Sequence, residues 1–191
     1  MIDVKNDLIN DLGLEEGFMT PALEKLLESN SKYLKDLRIN LKNVLTSEYL
    51  SEKETALIAL AVAVNNQNKP LESSFSNLAK EKGATVDEIG ETVACASLLS
   101  SNNIFYRFRH FVGKEKYNTL PARIKMSIMV NPILGKEFFE LTSLAVSAVN
   151  GCEACVAAHE QSVLQHGSSE ERVLDAIRLA AIVTSLGKVI N

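Results

Sequence analysis

The stretch from Ser51 to Val64, SEKETALIALAVAV, decides the fold class of this chain. It opens with Ser51 and Glu54, the pattern of a capping box, in which two side chains satisfy free backbone N–H groups at the start of a helix. From Ala56 to Val64 every residue is apolar, so the helix is hydrophobic on all sides rather than on one face. Such a helix has to be surrounded by other elements, and we predict that it lies in the core.

The composition predicts that those other elements are also helices. The 191 residues include 46% hydrophobic and 23% charged side chains, four prolines, nine glycines and no tryptophan. Long runs of Ala, Leu, Val, Ile, Glu and Lys favour helix over sheet. Apolar residues at helical spacing mark an amphipathic stripe before the central helix: Tyr33, Leu34, Leu37, Leu41 and Val44. We therefore predict one all-α domain spanning residues 1–191.

The charge and hydropathy of the chain argue against nucleic-acid and membrane partners. A net charge of −4, with no basic stripe among aromatic residues, gives no field that attracts phosphates. The longest apolar run, Ala56 to Val64, is about half of the roughly 18 to 20 residues needed to cross a bilayer. The N-terminal MIDVKNDLIND lacks the hydrophobic segment of a secretory signal, so we expect a cytoplasmic protein without a transmembrane segment.

Turn signals divide the region after the central helix. The polar residues 65–70, NNQNKP, end that helix, and a further helix follows to Lys82. Gly83 and Thr85 end this second helix and start another. We expect the new helix to reach about Ser100.

Two prolines mark a connection to a second half of the chain. Pro121 and Pro132 bracket residues 123–130, which we predict to form a short helix. We place the boundary between two lobes at this connection. The N-terminal lobe then covers about residues 1–118, and the C-terminal lobe covers about residues 119–191.

The two halves resemble each other at a spacing of 84 residues, which indicates an internal repeat. The matched pairs are Leu60-Ala-Val62 with Leu144-Ala-Val146, Asn66 with Asn150, and Gly83 with Gly167. At this register the residues Asn68, Leu71 and Phe75 take the positions of Cys152, Cys155 and His159. We therefore predict two related helical lobes, of which only the C-terminal one carries chemistry. Coincidental helical periodicity is the alternative explanation.

Side chains that can carry chemistry are concentrated in the C-terminal half. Residues 138–149, FFELTSLAVSAV, are typical of a largely buried helix with Glu140 as its single carboxylate, followed by an Asn-Gly break. A second helix then begins at the cysteines. Cys152, Cys155 and His159 are spaced i, i+3 and i+7, so they lie on one face of that helix, each about one turn from the next.

This arrangement suits thiol redox chemistry. The first turn of a helix carries free N–H groups and a partial positive charge, which favour thiolate over thiol. A thiolate attacks the O–O bond of a peroxide to give a sulfenic acid, and a second thiol at this spacing can condense with it into a Cys152–Cys155 disulfide. His159 can accept or pass on the proton, and a buried Glu140 can orient and charge the imidazole. Spacing alone does not indicate which sulfur attacks.

Two other interpretations of the cysteine pair stay open from spacing alone. A Cys-x-x-Cys pair can be half of a zinc site, but zinc needs four ligands, and we expect Cys95 and His110 to be distant and isolated. The pair can also be two small core residues. We expect Cys95 to fill the core, and His110 and His166 to be ordinary surface or interface residues. We predict no bound metal and no bound cofactor.

The spacing Glu140-x11-Cys152-x2-Cys155-x3-His159 closely resembles the catalytic pattern of alkyl hydroperoxide reductase D (AhpD) proteins. Three further segments resemble the same family in the same order, residues 32–41, 102–107 and 180–183, so the resemblance covers most of the chain. It implies the all-α fold of the carboxymuconolactone decarboxylase and AhpD superfamily, with two related helical lobes and assembly into a homotrimer.

The resemblance also implies an antioxidant activity. The dithiol would take electrons from dihydrolipoamide on a lipoyl-bearing acyltransferase and pass them to a partner peroxiredoxin of the AhpC type, with weak direct reduction of a hydroperoxide. By the same resemblance, Cys155 forms the sulfenic acid, and Cys152 is the second redox thiol and proton donor. Glu140 and His159 would form the proton relay.

One position departs from this resemblance. Many members carry a histidine just before the second cysteine, where this chain has Ala154 preceded by Glu153. The relay then rests on His159 alone. The Glu153 carboxylate should also raise the pKa of the neighbouring thiols, against the effect of the helix terminus. We therefore expect slower chemistry or a different electron donor.

Two other functions compete with the peroxidase. One is a lactone decarboxylase, which works without a CxxC pair and would keep its activity after Cys155→Ser. The other is a non-enzymatic oligomer whose disulfide only senses the redox state, and which would not react with hydroperoxide or dihydrolipoamide. The aromatic residues Phe105, Phe108 and Phe111 suggest more hydrophobic surface than one monomer buries, which is consistent with subunit contacts.

Overall fold

The computed structural model describes residues 1–191 as ten α-helices and one short 3₁₀ helix, without β-strands. The helices are α1 (Ile2–Asp11), α2 (Pro21–Glu28), α3 (Tyr33–Leu45), α4 (Glu52–Asn65), α5 (Lys69–Glu81), α6 (Val86–Val112), α7 (Glu115–Thr119), α8 (Lys136–Val149), α9 (Glu153–Gln165) and α10 (Glu170–Leu186). The 3₁₀ helix, Ser127–Met129, lies between α7 and α8. None of the helices combines the length and the apolar composition needed to cross a membrane. The predicted all-α fold is confirmed.

Helix α4 lies at the centre of the core. Ser51 and Glu54 form the predicted capping box, because each side chain accepts a hydrogen bond from the backbone N–H of the other residue. Every residue from Thr55 to Ala63 is buried, and α4 packs against α3, α5, α6, α8 and α10. The main hydrophobic cluster contains 30 buried residues from both halves of the chain, so the two halves share one core. Removal of this apolar surface from water is the main force that drives folding.

The helices repeat at the predicted spacing. Helices α4, α5 and α6 begin at residues 52, 69 and 86, and α8, α9 and α10 begin 84 residues later, at 136, 153 and 170. Gly83 and Gly167 occupy equivalent turns with φ of 86° and 88°, a conformation that L side chains rarely adopt. Each half therefore contains one copy of a three-helix unit. The lobe boundary near residue 118 stays a prediction.

The equivalent residues Asn68 and Cys152 are the N-caps of α5 and α9. Asn68 is buried, and its Oδ1 accepts a hydrogen bond from the N–H of Leu71 at 2.9 Å. Its Nδ2 donates to the carbonyls of Gly187 and Ile190, which follow α10. The first unit thus uses this position to cap a helix and to fasten the end of the chain, whereas the second unit has a cysteine there.

Two helix predictions in the middle of the chain are wrong. Helix α6 does not end near Ser100, because no proline or glycine follows Ser100 until Gly113, which caps the helix in a left-handed conformation. Residues 123–130 do not form the predicted helix. Arg123 has a positive φ of 54°, which breaks a right-handed helix, and only Ser127–Met129 forms a 3₁₀ turn.

A partly buried network of ion pairs ties α10 to α4 and α8. Arg172 donates to Glu54 at 2.6 Å, to Glu137 at 3.0 Å and to the carbonyl of Tyr49 at 2.7 Å. Burial alone would raise the pKa of Glu54, but hydrogen bonds from Arg172 and Ser51 hold that pKa below its usual value. One guanidinium group therefore holds three helices together.

Replacement of Arg172 by Met should lower the free energy of unfolding by about 3 kcal/mol, because two partly buried carboxylates lose their partner. Urea denaturation followed by circular dichroism measures this change. Arg178 lies on the same helix with its side chain 60% exposed and pairs with Asp175, so Arg178→Met is a matched control. The control should change the free energy of unfolding by less than about 0.5 kcal/mol. Equal losses in the two variants would contradict the role of the network.

Candidate active site

The candidate site lies where α8 ends and α9 begins. Gly151 has a φ of 66° and turns the chain, so that α9 packs back against α8. Cys152 then becomes the N-cap of α9. The backbone N–H groups of Glu153, Ala154 and Cys155 belong to the first turn, which has no preceding carbonyls to pair with inside the helix. The partial positive charge of this helix end favours a thiolate.

The two cysteines of the site differ in their access to solvent. Their sulfurs lie at bonding distance, 2.12 Å, and their Cα atoms are 5.2 Å apart. Cys152 is fully buried, whereas Cys155 keeps 7% of its surface exposed and lines a cavity. A molecule that enters this cavity therefore meets Cys155 and not Cys152.

Glu140 and His159 are joined by a short hydrogen bond inside the protein. The distance from Nδ1 of His159 to Oε2 of Glu140 is 2.6 Å, and both side chains are nearly buried. Lys136 Nζ lies 2.7 Å from the other oxygen of the carboxylate. Burial alone would raise the pKa of Glu140, but the hydrogen bonds from His159 and Lys136 outweigh it and lower this pKa to about 2. Glu140 is therefore ionised at neutral pH.

The charge of Glu140 fixes the tautomer of His159. An ionised carboxylate can only accept hydrogen bonds, so the proton of this contact lies on Nδ1 of His159. Nε2 is then the ring nitrogen that can exchange a proton. His159 lines the same cavity as Cys155. The structure thus brings Glu140, His159 and the cysteine pair together, and the ring can hold a proton beside the cavity.

Lys136 belongs to this site, although the sequence reasoning missed it. It donates to Glu140 and also to the backbone carbonyl of Met129, at 2.9 Å. Lys136 therefore links the carboxylate to the connector between α7 and α8. Its spacing of four residues from Glu140, on one helix face, was the available signal.

An apolar cavity of about 290 Å³ opens onto Cys155 and His159. Its walls come from α6, from the connector and from α9, and they include Asn102, Tyr106, Met126, Met129 and Ala158. The amide nitrogen of Asn102 donates to the sulfur of Met126 at 3.1 Å, which fastens the connector to α6. The sequence pattern did not indicate that the two methionines line this cavity, because it did not show how the segment between α7 and α8 folds back onto α6.

The third cysteine and the other two histidines lie outside this cavity. Cys95 is fully buried beside Ser143, as predicted, and burial raises the pKa of its thiol to about 12, so it is unreactive at neutral pH. His110 lies on the surface, as predicted, and its Nε2 is 3.4 Å from the Glu153 carboxylate. His166 is exposed, as predicted. No group of three or more His, Cys, Asp and Glu side chains is arranged to hold a metal ion.

Comparison with known proteins identifies the family of the chain. The family model described as the carboxymuconolactone decarboxylase family matches residues 33–103 and 116–189. The chain is 40% identical over 164 residues to alkyl hydroperoxide reductase AhpD of Anaeromyxobacter dehalogenans strain 2CP-C. The aligned region covers 85% of this chain and 87% of that relative. The chain belongs to the AhpD family. It is also 40% identical over 162 residues to the AhpD of Coxiella burnetii strain Dugway 5J108-111, with 82% and 90% of the two chains covered.

The two matched segments agree with the repeat seen in this AhpD-family chain. The first segment contains α4, α5 and most of α6, and the second contains α8, α9 and α10. Each match therefore holds one three-helix unit. The predicted family and the predicted pair of related helical units are confirmed.

Replacement of Glu140 by Gln should change how the stability of this AhpD-family chain depends on pH. A carboxyl group whose pKa falls from 4.5 to about 2 on folding stabilises the folded state above pH 4.5, and this contribution is lost as the pH falls toward 2. The difference in free energy of unfolding between wild type and Glu140→Gln should therefore shrink by about 2 kcal/mol between about pH 6 and about pH 3. Urea titrations of the oxidised proteins at several pH values measure this difference. A difference that is independent of pH would contradict the lowered pKa of Glu140.

Replacement of Glu153 by Gln should lower the pKa of the Cys155 thiol in the reduced protein, because a negative charge next to the helix terminus is removed. The expected shift is about half a pKa unit, since Glu153 is exposed. The ultraviolet absorbance of the thiolate across a pH series measures this shift. An unchanged pKa in Glu153→Gln would rule out this influence of the carboxylate.

Proposed function

We propose that this AhpD-family chain is an antioxidant thiol oxidoreductase that reduces organic hydroperoxides through Cys155 and Cys152. The observation that carries the proposal is the apolar cavity in which Cys155 meets His159, with His159 tied to the ionised Glu140. The relatives from A. dehalogenans and C. burnetii are named alkyl hydroperoxide reductase AhpD, which supports the same class of reaction.

The reaction starts from the reduced dithiol. The Cys155 thiolate attacks the terminal oxygen of R–O–O–H, so that an S–O bond forms, the O–O bond breaks, and an alkoxide leaves. The alkoxide takes up a proton and becomes an alcohol. Cys152 then attacks the sulfenic sulfur of Cys155, which forms the disulfide and releases water. The two electrons of the dithiol thus reduce one hydroperoxide to one alcohol and one water.

The exposure of the two cysteines supports their different roles. Cys155 lines the cavity, so its sulfur is the one that a hydroperoxide can reach. Cys152 is fully buried at the helix N-cap, where it can only react with a group already inside the site. This geometry favours Cys155 as the sulfenic-acid-forming thiol and Cys152 as the second redox thiol.

Glu140 and His159 act together on the proton. The Glu140 carboxylate stabilises positive charge on the ring, so that His159 can take the proton from the Cys155 thiol and give it to the leaving alkoxide. The imidazolium and the thiolate then carry opposite charges inside one site. This pairing favours the thiolate.

The oxidised site has to be reduced again, and we assign this step to dihydrolipoamide on a lipoyl-bearing acyltransferase in a reducing cytoplasm. One thiolate of the dihydrolipoamide attacks Cys155 and releases Cys152, and its second thiol then attacks the mixed disulfide and restores Cys155. An apolar cavity that exposes one sulfur suits the apolar chain of such a carrier. The reduced dithiol would also supply electrons to an AhpC-type peroxiredoxin.

We also propose that the chain assembles as a homotrimer. Ile104, Phe108 and Phe111, on the second half of α6, are 63%, 47% and 72% exposed. A monomer rarely leaves such a group of large apolar side chains in water. This surface supports a subunit contact.

Anaerobic stopped-flow oxidation of the reduced protein by cumene hydroperoxide, with free thiols counted before and after, tests the proposed reaction. The chain has three cysteines, so the count should fall from three to one in wild type, because Cys95 stays reduced. Cys155→Ser should not react. Cys152→Ser should lose one thiol and accumulate a sulfenic acid that dimedone traps.

The matched control for this experiment is Cys95→Ala, in which the count should fall from two to zero at the wild-type rate. No loss of thiols in any form would contradict direct peroxidase activity. Equal reaction of wild type and Cys155→Ser would contradict the role of Cys155.

A further inference from the structure

The cavity wall contains a buried oxygen that has no partner in the protein. Asn102 is 4% exposed, and its Nδ2 donates to the sulfur of Met126. Its Oδ1 accepts no hydrogen bond. A buried carbonyl oxygen without a partner costs free energy, and such groups are rare in folded proteins. This oxygen lies on the side chain that borders Cys155 and His159 in the cavity.

The neighbouring asparagine shows that α6 can satisfy such a side chain inside the protein. Asn103 is 1% exposed, its Nδ2 donates to Ser147 at 2.9 Å, and its Oδ1 accepts from Asn150 at 2.9 Å. Asn103 therefore joins α6 to α8 with both of its polar atoms. Asn103 also lines the cavity, so the unpaired oxygen distinguishes Asn102 from a neighbour in the same wall.

The chemistry of the cavity defines what can pair with this oxygen. Oδ1 has no accessible surface in this structure. The χ2 torsion of asparagine is broad enough to turn the amide, so that Oδ1 can accept a hydrogen bond from a molecule in the cavity that the side chain borders. The wall also presents the thioethers of Met126 and Met129 and the methyl group of Ala158. A fitting ligand therefore has an apolar body and one hydrogen-bond donor at its end. An organic hydroperoxide, R–O–O–H, has this form.

We propose that Asn102 binds the hydroperoxide by accepting a hydrogen bond from its terminal O–H group, which directs the terminal oxygen toward the Cys155 sulfur. This inference rests on the proposed function and adds a substrate-binding residue to it. The thiolate attacks the oxygen that carries the hydrogen, the O–O bond breaks, and the alkoxide RO⁻ leaves. The O–H bond itself is not broken, so the hydrogen bond to Asn102 persists in the sulfenic acid of Cys155. The R group lies against Met126 and Met129.

The test compares two reagents on the reduced protein. Cumene hydroperoxide carries the donor that Asn102 would bind, whereas methyl methanethiolsulfonate reacts with thiolates and has no such donor. Asn102→Leu should lower the rate with cumene hydroperoxide about tenfold, the effect expected for one lost hydrogen bond. Its rate with methyl methanethiolsulfonate should stay within about twofold of wild type, because the thiolate itself is unchanged. Asn102→Asp keeps an acceptor oxygen and should restore the ratio of the two rates.

Further variants separate substrate binding from folding. Asn103 lines the same cavity, but both of its polar atoms are paired inside the protein. Asn103→Leu should therefore lower the melting temperature without changing the ratio of the two rates. Asn102→Ala removes the same acceptor and decides the question if the leucine variant does not fold. An unchanged ratio in the Asn102 variants, or an equal fall of the ratio in Asn103→Leu, would overturn the assignment and leave the proposed function intact. If wild type reacts with methyl methanethiolsulfonate but not with cumene hydroperoxide, the proposed function fails together with this ligand.

Discussion

Helix α4 has no polar face, and the rest of the structure follows from the need to bury it on every side. A single three-helix unit cannot cover such a helix, whereas two units that share a core can. Helix α8 is the equivalent helix of the second unit, and it packs against α4. Residues 138–147 of α8 are buried in turn, and Glu140 is among them. The hydrophobic packing therefore carries a carboxylate into the protein, where it has to be paired.

The charges of the site follow from that burial. Lys136 and His159 supply the partners of Glu140, and together they keep it ionised against the cost of desolvation. Lys136 already balances the carboxylate, so a proton taken up by His159 gives the site a net positive charge. A thiolate at Cys155 would neutralise it. In the reaction that we propose, this arrangement would stabilise the imidazolium and the thiolate together.

Local signals in the sequence predicted most of the helices and the core of the site. Capping residues such as Ser51 and Thr85, and left-handed glycines such as Gly83, act within a few residues, so they can be recognised from the chain alone. The spacing of the cysteines and His159 likewise fixes a shared helix face. What the sequence could not show depends on contacts between distant segments. Lys136 is different, because it lies four residues before Glu140 on the same helix, and this spacing could have predicted the ion pair.

Asn102 and His110 were beyond prediction for this physical reason. Both lie on α6, roughly 40 to 50 residues before the cysteines. Asn102 borders the cavity, and His110 contacts Glu153 beside it, only because α6 continues past Ser100 and packs against α9. The connector between α7 and α8 has apolar residues at helical spacing, but its methionines turn into the cavity wall instead of forming a helix face. Periodicity describes which residues are apolar, and it does not describe the direction in which an irregular segment folds.

Asn68 has a structural role at the position that Cys152 occupies in the second unit. Its amide holds the carbonyls of Gly187 and Ile190, so the position that carries a sulfur in the second unit anchors the chain terminus in the first. A cysteine at this position would leave those two buried carbonyls without their donor, and only Thr20 would still bind the chain end with its side chain, at the carbonyl of Val189. The two copies have therefore diverged at this position: the first fastens the end of the chain, and the second carries the cysteine pair beside the cavity.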